Sequence, residues 1–295
     1  MFDLTGRVVA MVGAGSGIGR ASALACARQG AAVACLDIQA EEAKRVAEAI
    51  QDEGGEAWAG SVDIRNHGQV DAALDAAHRE LGGLHGVVCT PGFNVRKPIL
   101  DYTPEEFHKV VDVNLLGTFN VLRSGARILK AAGGGSIVLY GSIRAQVVEP
   151  GQSVYAATKA GVVQLARTAA AEMGGMGIRV NTLCPGVVET PLTAPIKAHE
   201  DWYQAYATKN ALGRWGRPDE LAGPTVFLLS DASSYMTGAV LFVDGGWTAI
   251  DGRFSPPGMG ASGGVMASGT MAAPAASPTA SQTTSDGTAP PEEGR

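Results

Sequence analysis

The chain has 295 residues, 45% hydrophobic and 18% charged, with a formal net charge of -6. That is enough apolar material for one large α/β domain or two small ones. The acidic balance argues against nucleic acid or an anionic membrane as partner, where clustered Lys/Arg would be expected. Cys26, Cys35, Cys89 and Cys184 each sit in an apolar segment with no C-x-x-C spacing. They read as small buried hydrophobes rather than a disulfide framework or a zinc site. With no signal-peptide pattern and no apolar run long enough to span a bilayer, a reducing cytoplasm is expected.

Residues 8–12, Val-Val-Ala-Met-Val, form a short continuous apolar run, the pattern of a strand buried on both faces. They lead into Gly13-Ala14-Gly15-Ser16-Gly17-Ile18-Gly19, and residues 20–29 are Ala-rich and helical. Between a strand and a helix, glycines let the backbone approach a pyrophosphate, and the helix N-terminus offers N–H groups and a favourable dipole. Gly13, Ser16, Gly17, Ile18 and Gly19 are therefore the candidate dinucleotide cradle, a plain turn being the alternative. Residues 31–36 read as a second strand with Asp37 at its end. A carboxylate there accepts hydrogen bonds from adenosine ribose hydroxyls and repels a 2′-phosphate. Ile38-Gln39-Ala40 brings no cation, so NAD is favoured over NADP. The other reading has Asp37 merely capping the helix over 40–52.

A weaker third strand over 56–62 ends in Asp63-Ile64. A helix follows over 66–81 and a fourth strand over 84–90. This alternation predicts a parallel doubly wound sheet. Thr103-Pro104-Glu105-Glu106 is a capped helix start, and the spacing predicts one long helix over about 105–131. Asn114 lies in that helix's apolar band and needs a partner, either a neighbouring carbonyl or a place in a proton path. Gly133-Gly134-Gly135 ends the helix. A fifth strand over 136–140 delivers Ser142, whose hydroxyl can bond a substrate oxygen.

From Ser153 small and apolar residues recur at helical spacing, which puts Tyr155 and Lys159 on one face. A phenol titrates near about 10. A close cation stabilises the phenolate, so such a tyrosine trades a proton nearer neutral pH. A surface tyrosine beside a surface lysine is the alternative. Residues 178–183 form a sixth strand leading into Cys184-Pro185-Gly186. The rhythm then lapses over about 190–216, where Trp202, Tyr203, Tyr206 and Trp215 cluster with charges. An insertion beyond a strand's C-terminal end is where a substrate lid is expected. A helix over 219–230 and a strand over 239–243 complete a domain of residues 1–252. Residues 253–295 are dominated by Ala, Gly, Pro, Ser and Thr, with Phe254 the single aromatic. They are expected to form a flexible tail, because they cannot bury enough apolar area to offset their ordering entropy.

Taken together, G-A-G-S-G-I-G at 13–19, Asp63, Asn114, Ser142, Y-A-A-T-K at 155–159, P-G at 185–186, Thr190 and V-D-G-G at 243–246 resemble the short-chain dehydrogenase/reductase family. The resemblance spans nearly the whole chain up to residue 250. It implies a Rossmann-like, doubly wound seven-stranded parallel sheet in a three-layer α/β/α arrangement. It also implies reversible hydride transfer between a nicotinamide and an alcohol/carbonyl pair. On that resemblance Tyr155 is the general acid/base, and Lys159 lowers its pKa and holds the nicotinamide ribose. Ser142 orients and polarises the substrate oxygen. Asn114 maintains a helix carbonyl that binds a relay water. Pro185, Gly186, Val188 and Thr190 serve the nicotinamide end, Ile38, Asp63 and Ile64 the adenosine end, and Gly92 lines the cleft. A homotetramer is implied, with the 155–174 helix and the last strand at interfaces. Two departures stand out. Val12 replaces the usual threonine, and Cys89-Thr90-Pro91-Gly92 replaces the usual N-N-A-G. Either the local hydrogen bonds are remade or cofactor affinity is lower.

Phe93, Asn94, Arg96, Arg144, Gln146, Glu149, Trp202 and Tyr203 flank the implied triad. Arg144, two residues past Ser142, can bind a carboxylate bidentately; alternatively it pairs with Glu149 and faces no substrate. The run 93–98 is loosely similar to the gluconate/polyol dehydrogenase branch. Asn94, Arg144, Gln146 and Trp202 as substrate contacts point to a sugar acid, polyol or hydroxy acid. One rival is an NADPH-dependent 3-oxoacyl-thioester reductase, against which Asp37 argues. Another is a catalytically silent nucleotide sensor or scaffold, against which the intact Ser142, Tyr155 and Lys159 argue. No metal is expected.

Overall fold

The computed structural model describes residues 1–250. Seven strands, β1 (Val8–Val12), β2 (Ala32–Asp37), β3 (Ala57–Ser61), β4 (Gly86–Cys89), β5 (Gly135–Tyr140), β6 (Ile178–Pro185) and β7 (Val240–Val243), form one sheet. The order is β3-β2-β1-β4-β5-β6-β7, and every pairing is parallel. The winding reverses between β1 and β4, and such a switch point opens a crevice at the strands' carboxyl ends. The predicted doubly wound α/β sheet is therefore what forms.

Successive residues of β1 serve opposite faces, as the period of a strand requires. Val9 and Met11 join Ala23, Cys26, Val46 and Ile50 of α1 (Gly17–Arg28) and α2 (Ala40–Asp52), with Leu221 and Leu228 of α9 (Asp219–Leu229). Ala10 and Val12 join Val70 and Leu74 of α3 (His67–Glu80), Val121 and Leu129 of α5 (Thr118–Ala131), and Val162 and Ala166 of α6 (Ser153–Met173). All four cysteines are buried and free. Burial pushes the thiols of Cys26 and Cys35 up to about 12 and those of Cys89 and Cys184 up to about 11, which makes them inert packing groups.

The single helix expected over 105–131 is instead three pieces. The first is α4 (Pro104–Val111), started by the predicted capping box: Thr103 Oγ1 accepts the Glu106 N–H and Glu106 accepts the Thr103 N–H. A π-helical stretch over Asp112–Gly117 follows, and then α5. The Thr118 hydroxyl donates to the Asn114 carbonyl at 2.7 Å inside the widened turn. A Cβ on Gly117 would stand 2.5 Å from the Ile64 side chain, so a larger residue would push Ile64 aside. Apolar periodicity runs through all three pieces and cannot register one wide turn.

Residues 190–216 are not irregular either. They hold a short turn over Pro191–Thr193, α7 (Ala194–Lys197) and α8 (Glu200–Ala207), closed at the base by a bridge between Val188 and Gly216. A third apolar cluster, containing Ile143, Ile196, Tyr206, Trp215 and Trp247, holds them. The Tyr203 and Trp215 rings stack at 4.9 Å. Among the described residues no helix is long and apolar enough to cross a membrane. The expectation for 253–295 lies outside the described residues.

At the start of β4, His85 Nδ1 accepts the Val8 N–H at 2.9 Å. Burial, then the nearby Arg7 and His78 charges, hold its pKa below the ordinary 6.5. A pKa depressed in the fold means stability that is present above the unfolded value and lost as pH falls through the folded one. We therefore expect Tm to drop by about 2–4 °C as pH falls below about 6.5, the cost of one lost partly buried hydrogen bond. His85→Gln should flatten that dependence in thermal melts.

Candidate active site

The glycine turn sits at the carboxyl end of β1. A Cβ on Gly19 would stand 1.9 Å from the Gly13 carbonyl oxygen, and one on Gly13 would stand 2.3 Å from Thr90 Oγ1. No other residue type fits this close passage of turn, helix and β4. Ser16 precedes α1 without making a side-chain cap, so the first-turn N–H groups remain available to an anion. Ile18 is half-buried over the core and Gly17 faces Thr190 and Pro191 across a cleft of about 540 Å³.

Asp37 stands beside this turn. Its carboxylate accepts the Gly15 N–H at 2.9 Å and the Gln39 N–H at 3.0 Å. Helix α2 begins after Gln39, so Asp37 braces the glycine turn rather than merely capping the helix. Ile38 next to it is exposed. Asp63 and Ile64, just beyond the end of β3, each have contacts within the protein. Arg65 grips the Asp63 carboxylate at 2.6 Å and holds its pKa below the usual carboxylate range. Ile64 is buried against Gly117, and its carbonyl accepts from Asn120.

At the two sequence departures the structure places hydrogen bonds around the glycine turn. The Thr90 hydroxyl reaches back to the carbonyls of Val12 at 3.0 Å and Gly13 at 3.2 Å. It ties the glycine turn to β4 in place of a hydroxyl on residue 12. Cys89 packs with its Sγ 3.9 Å from Thr118 Oγ1. The hydrogen bonds are remade, and Pro91 closes against Gly13.

Ser142 follows β5 and Tyr155 lies on the first turn of α6. Both line a cleft of about 470 Å³ with Asn94, Arg96, Arg144, Gln152, Gly186, Thr193, Trp202 and Tyr206 among others. Ser142 Oγ accepts the Arg144 N–H at 3.1 Å, which leaves its own O–H free to donate into the cleft. Lys159, one turn beyond Tyr155, is 3% exposed. Its ammonium donates to the Tyr140 carbonyl at 2.8 Å and lies 5.7 Å from the Tyr155 ring centre. Gly92 borders it, since a Cβ there would be 3.6 Å from Nζ. The pair expected from spacing thus shares one helix face, with the tyrosine lining the cleft and the lysine buried beside it.

Asn114 is fully buried. Its Oδ1 accepts the Phe93 N–H at 2.8 Å, and its Nδ2 donates to the Phe93 carbonyl at 2.9 Å and to Thr158 Oγ1 at 3.1 Å. Its side chain is thus satisfied by a neighbouring carbonyl, one of the two partners expected for it. Pro185 ends β6, and the Gly186 N–H donates to Val243. Val188 is buried, its carbonyl accepting from Thr193 Oγ1 at 2.6 Å. Thr193 also accepts the Thr190 N–H and borders both clefts.

Of the substrate candidates, Asn94, Arg144 and Trp202 line the cleft and Gln146 does not. It lies exposed on the turn beyond it, because the short helical turn over Ile143–Ala145 rotates it away. Arg144 pairs with Glu149, as the alternative reading had it, yet still lines the cleft. Gln152, Thr193 and Tyr206 were missed as cleft residues. Gln152 sits one helical turn before Tyr155, and that spacing is the signal that could have found it.

A family model described as enoyl-(acyl carrier protein) reductase, of the short-chain alcohol dehydrogenase type, matches residues 13–248. The chain is 39% identical to a cis-4-hydroxycyclohexanecarboxylate dehydrogenase of Sinomonas cyclohexanicum, over 83% of this chain and 97% of the relative. It is 37% identical to a D-threitol dehydrogenase of Mycolicibacterium smegmatis, over 84% and 95%. The crystal structure of a gluconate 5-dehydrogenase from Burkholderia cenocepacia, in complex with NADP and tartrate, superposes with a TM-score of 0.82 at 36% identity, covering 85% of this chain and 98% of that one. The chain belongs to the short-chain dehydrogenase/reductase family. It is accordingly an oxidoreductase of hydroxy compounds that works with a nicotinamide cofactor. The glycine-only cradle, the uncapped start of α1 and the buried Lys159 fit such a cofactor.

Proposed function

We propose that the enzyme transfers hydride reversibly between a polar secondary alcohol and NAD, giving the ketone, NADH and a proton. The observation that carries this is the convergence of Ser142 and Tyr155 on one cleft, with the Lys159 ammonium buried behind the phenol. The bound nicotinamide supplies the hydride acceptor. Ser142 donates its free O–H to the substrate oxygen and fixes its position. Tyr155 takes the hydroxyl proton as the alcohol is oxidised and returns it in the reverse direction. Lys159, held by the Tyr140 carbonyl, stabilises charge developing on the phenol oxygen and has donors left for a ribose. Asn114 fixes the Phe93 backbone beside the site. Asp37 supports NAD over NADP, because a 2′-phosphate would meet its carboxylate.

The substrate reading is a hydroxy acid or sugar-sized polyol acid. Arg96 and Arg144 both line the cleft and no acid does. Glu149 behind them balances one charge and leaves one. Asn94 Oδ1 is buried without a protein partner among the described residues, and a buried acceptor requires a donor such as a second substrate hydroxyl. The relatives' hydroxy-acid and polyol substrates, and the tartrate of the gluconate 5-dehydrogenase complex, support this class. The 190–216 segment acts as the lid, and a cytoplasmic homotetramer is the assembly. The half-buried β7 and exposed Leu116, Phe119 and Met176 around α5 and α6 are the faces it would cover.

The test is NADH or NADPH formation across sugar acids, cyclic hydroxy acids, polyols, apolar cyclic alcohols and hydroxyacyl thioesters. Anionic hydroxy compounds should exceed neutral apolar alcohols in kcat/KM by about 10–100-fold, the effect of one charged hydrogen-bonding partner. Equal rates for hydroxy acids and cyclohexanol would overturn the substrate reading.

A further inference from the structure

Glu149 does not line the cleft, yet it touches four residues that do. Its carboxylate accepts from Arg144, from Gln152 Nε2 at 2.6 Å, from Arg96 Nη1 at 3.2 Å and from the Tyr206 hydroxyl. These donors come from three segments, two of them from the connection between β5 and α6 that carries Glu149 itself. Arg144 is on the turn after β5, Gln152 precedes α6, Arg96 is on the loop after β4, and Tyr206 is on α8. The chain continues inward, since Gln152 Oε1 accepts from Asn94 Nδ2 at 3.0 Å. An unbroken path thus runs from α8 through Glu149 and Gln152 to Asn94 in the substrate cleft.

The surroundings make this a firm junction. The Arg144 side chain is 6% exposed and Glu149 22%, so water competes weakly for the pair. Arg144 lies over Trp247 and Arg96 over Trp202, each at 5.4 Å. Tyr206 is buried and its ring packs near Trp202, Trp215 and Trp247. Burial, then the Glu149 acceptor, raises its phenol above the ordinary range, so it stays a donor through neutral pH. Tyr206 and Arg96 tie Glu149 to α8 and to the loop after β4, and Arg96 Nη1 also donates to the Tyr206 hydroxyl at 3.3 Å.

We propose that Glu149 is a positioning residue that latches the 190–216 segment over the substrate cleft by joining Tyr206 to the start of the catalytic helix. It acts on substrate retention and leaves proton transfer to Tyr155. The inference rests on the reading of this cleft as the substrate site.

Glu149→Gln and Tyr206→Phe, made in the full-length enzyme, test it in two ways. With NADH bound, trypsin should cut the exposed Lys197 and Arg214 about fivefold faster or more in either variant, as local opening becomes easier. With the best neutral polyol, where the arginine charge freed by Glu149→Gln does not enter, KM should rise about tenfold while kcat stays within about threefold. NADH affinity should be unchanged. The double variant should fall well short of the sum of the two single losses, as expected for two residues in one link, the remainder being the Arg96 hydrogen bond that the Tyr206 hydroxyl accepts at 3.3 Å. Wild-type cleavage and KM in the variants would overturn the latch. So would parallel losses of NADH affinity and Tm, which mark general destabilisation. If Glu149→Gln fails to fold, Tyr206→Phe carries the same test. The trypsin arm needs no turnover, so a silent substrate panel would overturn the substrate reading and leave the latch to be decided by cleavage.

Discussion

Replacing Tyr155 by phenylalanine should lower kcat by about 10³–10⁴-fold, the scale of a lost general acid/base. The argument is local. The substitution removes one oxygen from a half-buried ring on the first turn of α6 and keeps its volume. Lys159 remains held by Tyr140, and the glycine turn lies on another element. NADH binding, read by fluorescence titration, should therefore stay within about twofold. kcat and kcat/KM should fall together, because the lost interaction exists only as the proton moves. Ser142→Ala should cost about 10²–10³-fold by removing the donor aimed at the substrate oxygen. Full turnover in Tyr155→Phe would overturn the assignment and favour a nucleotide-bound sensor.

The second large effect is expected at Asp37. Asp37→Asn combined with Ile38→Arg should reduce kcat/KM with NAD by about 10–100-fold and raise it with NADP. The preference ratio should move by about 10³-fold. One carboxylate hydrogen bond to a ribose is worth about 1.5–3 kcal/mol. The reversed charge removes repulsion of a 2′-phosphate and adds an exposed cation at residue 38. Asp37 also accepts the Gly15 and Gln39 N–H groups, and asparagine keeps only one acceptor oxygen. Asp37→Asn alone therefore separates bracing from charge: a loss shared by both cofactors is bracing, and a loss confined to NAD is ribose recognition. The relative holding NADP makes the wild-type comparison decisive. A native preference for NADP would overturn the Asp37 argument.

The parallel doubly wound sheet was legible because short apolar runs alternate with helical stretches. The Tyr155–Lys159 geometry was legible because helix spacing is fixed. The π turn at Asn114 was hidden, since one extra residue in a turn leaves no mark in an apolar stripe. Helices α7 and α8 were hidden because they are too short to show a period. Gln146 was misplaced by a helical turn that nothing in its own composition announces. Sequence alone gives Arg144 two partners, a substrate carboxylate and Glu149 five residues away, and spacing cannot choose between them. The remade tie at Thr90 depends on two segments meeting in space, and their separation in the chain conceals it.

That tie has a consequence for how the enzyme comes to exist. Thr90 and Val12 are 78 positions apart, so the tie cannot form before the chain through Thr90 has been made. An emerging segment comprising β1, α1 and β2 carries every glycine of the cradle but lacks the strand that fixes its shape. Competence to hold the dinucleotide therefore arrives with β4. Partly synthesised chains should not sequester it.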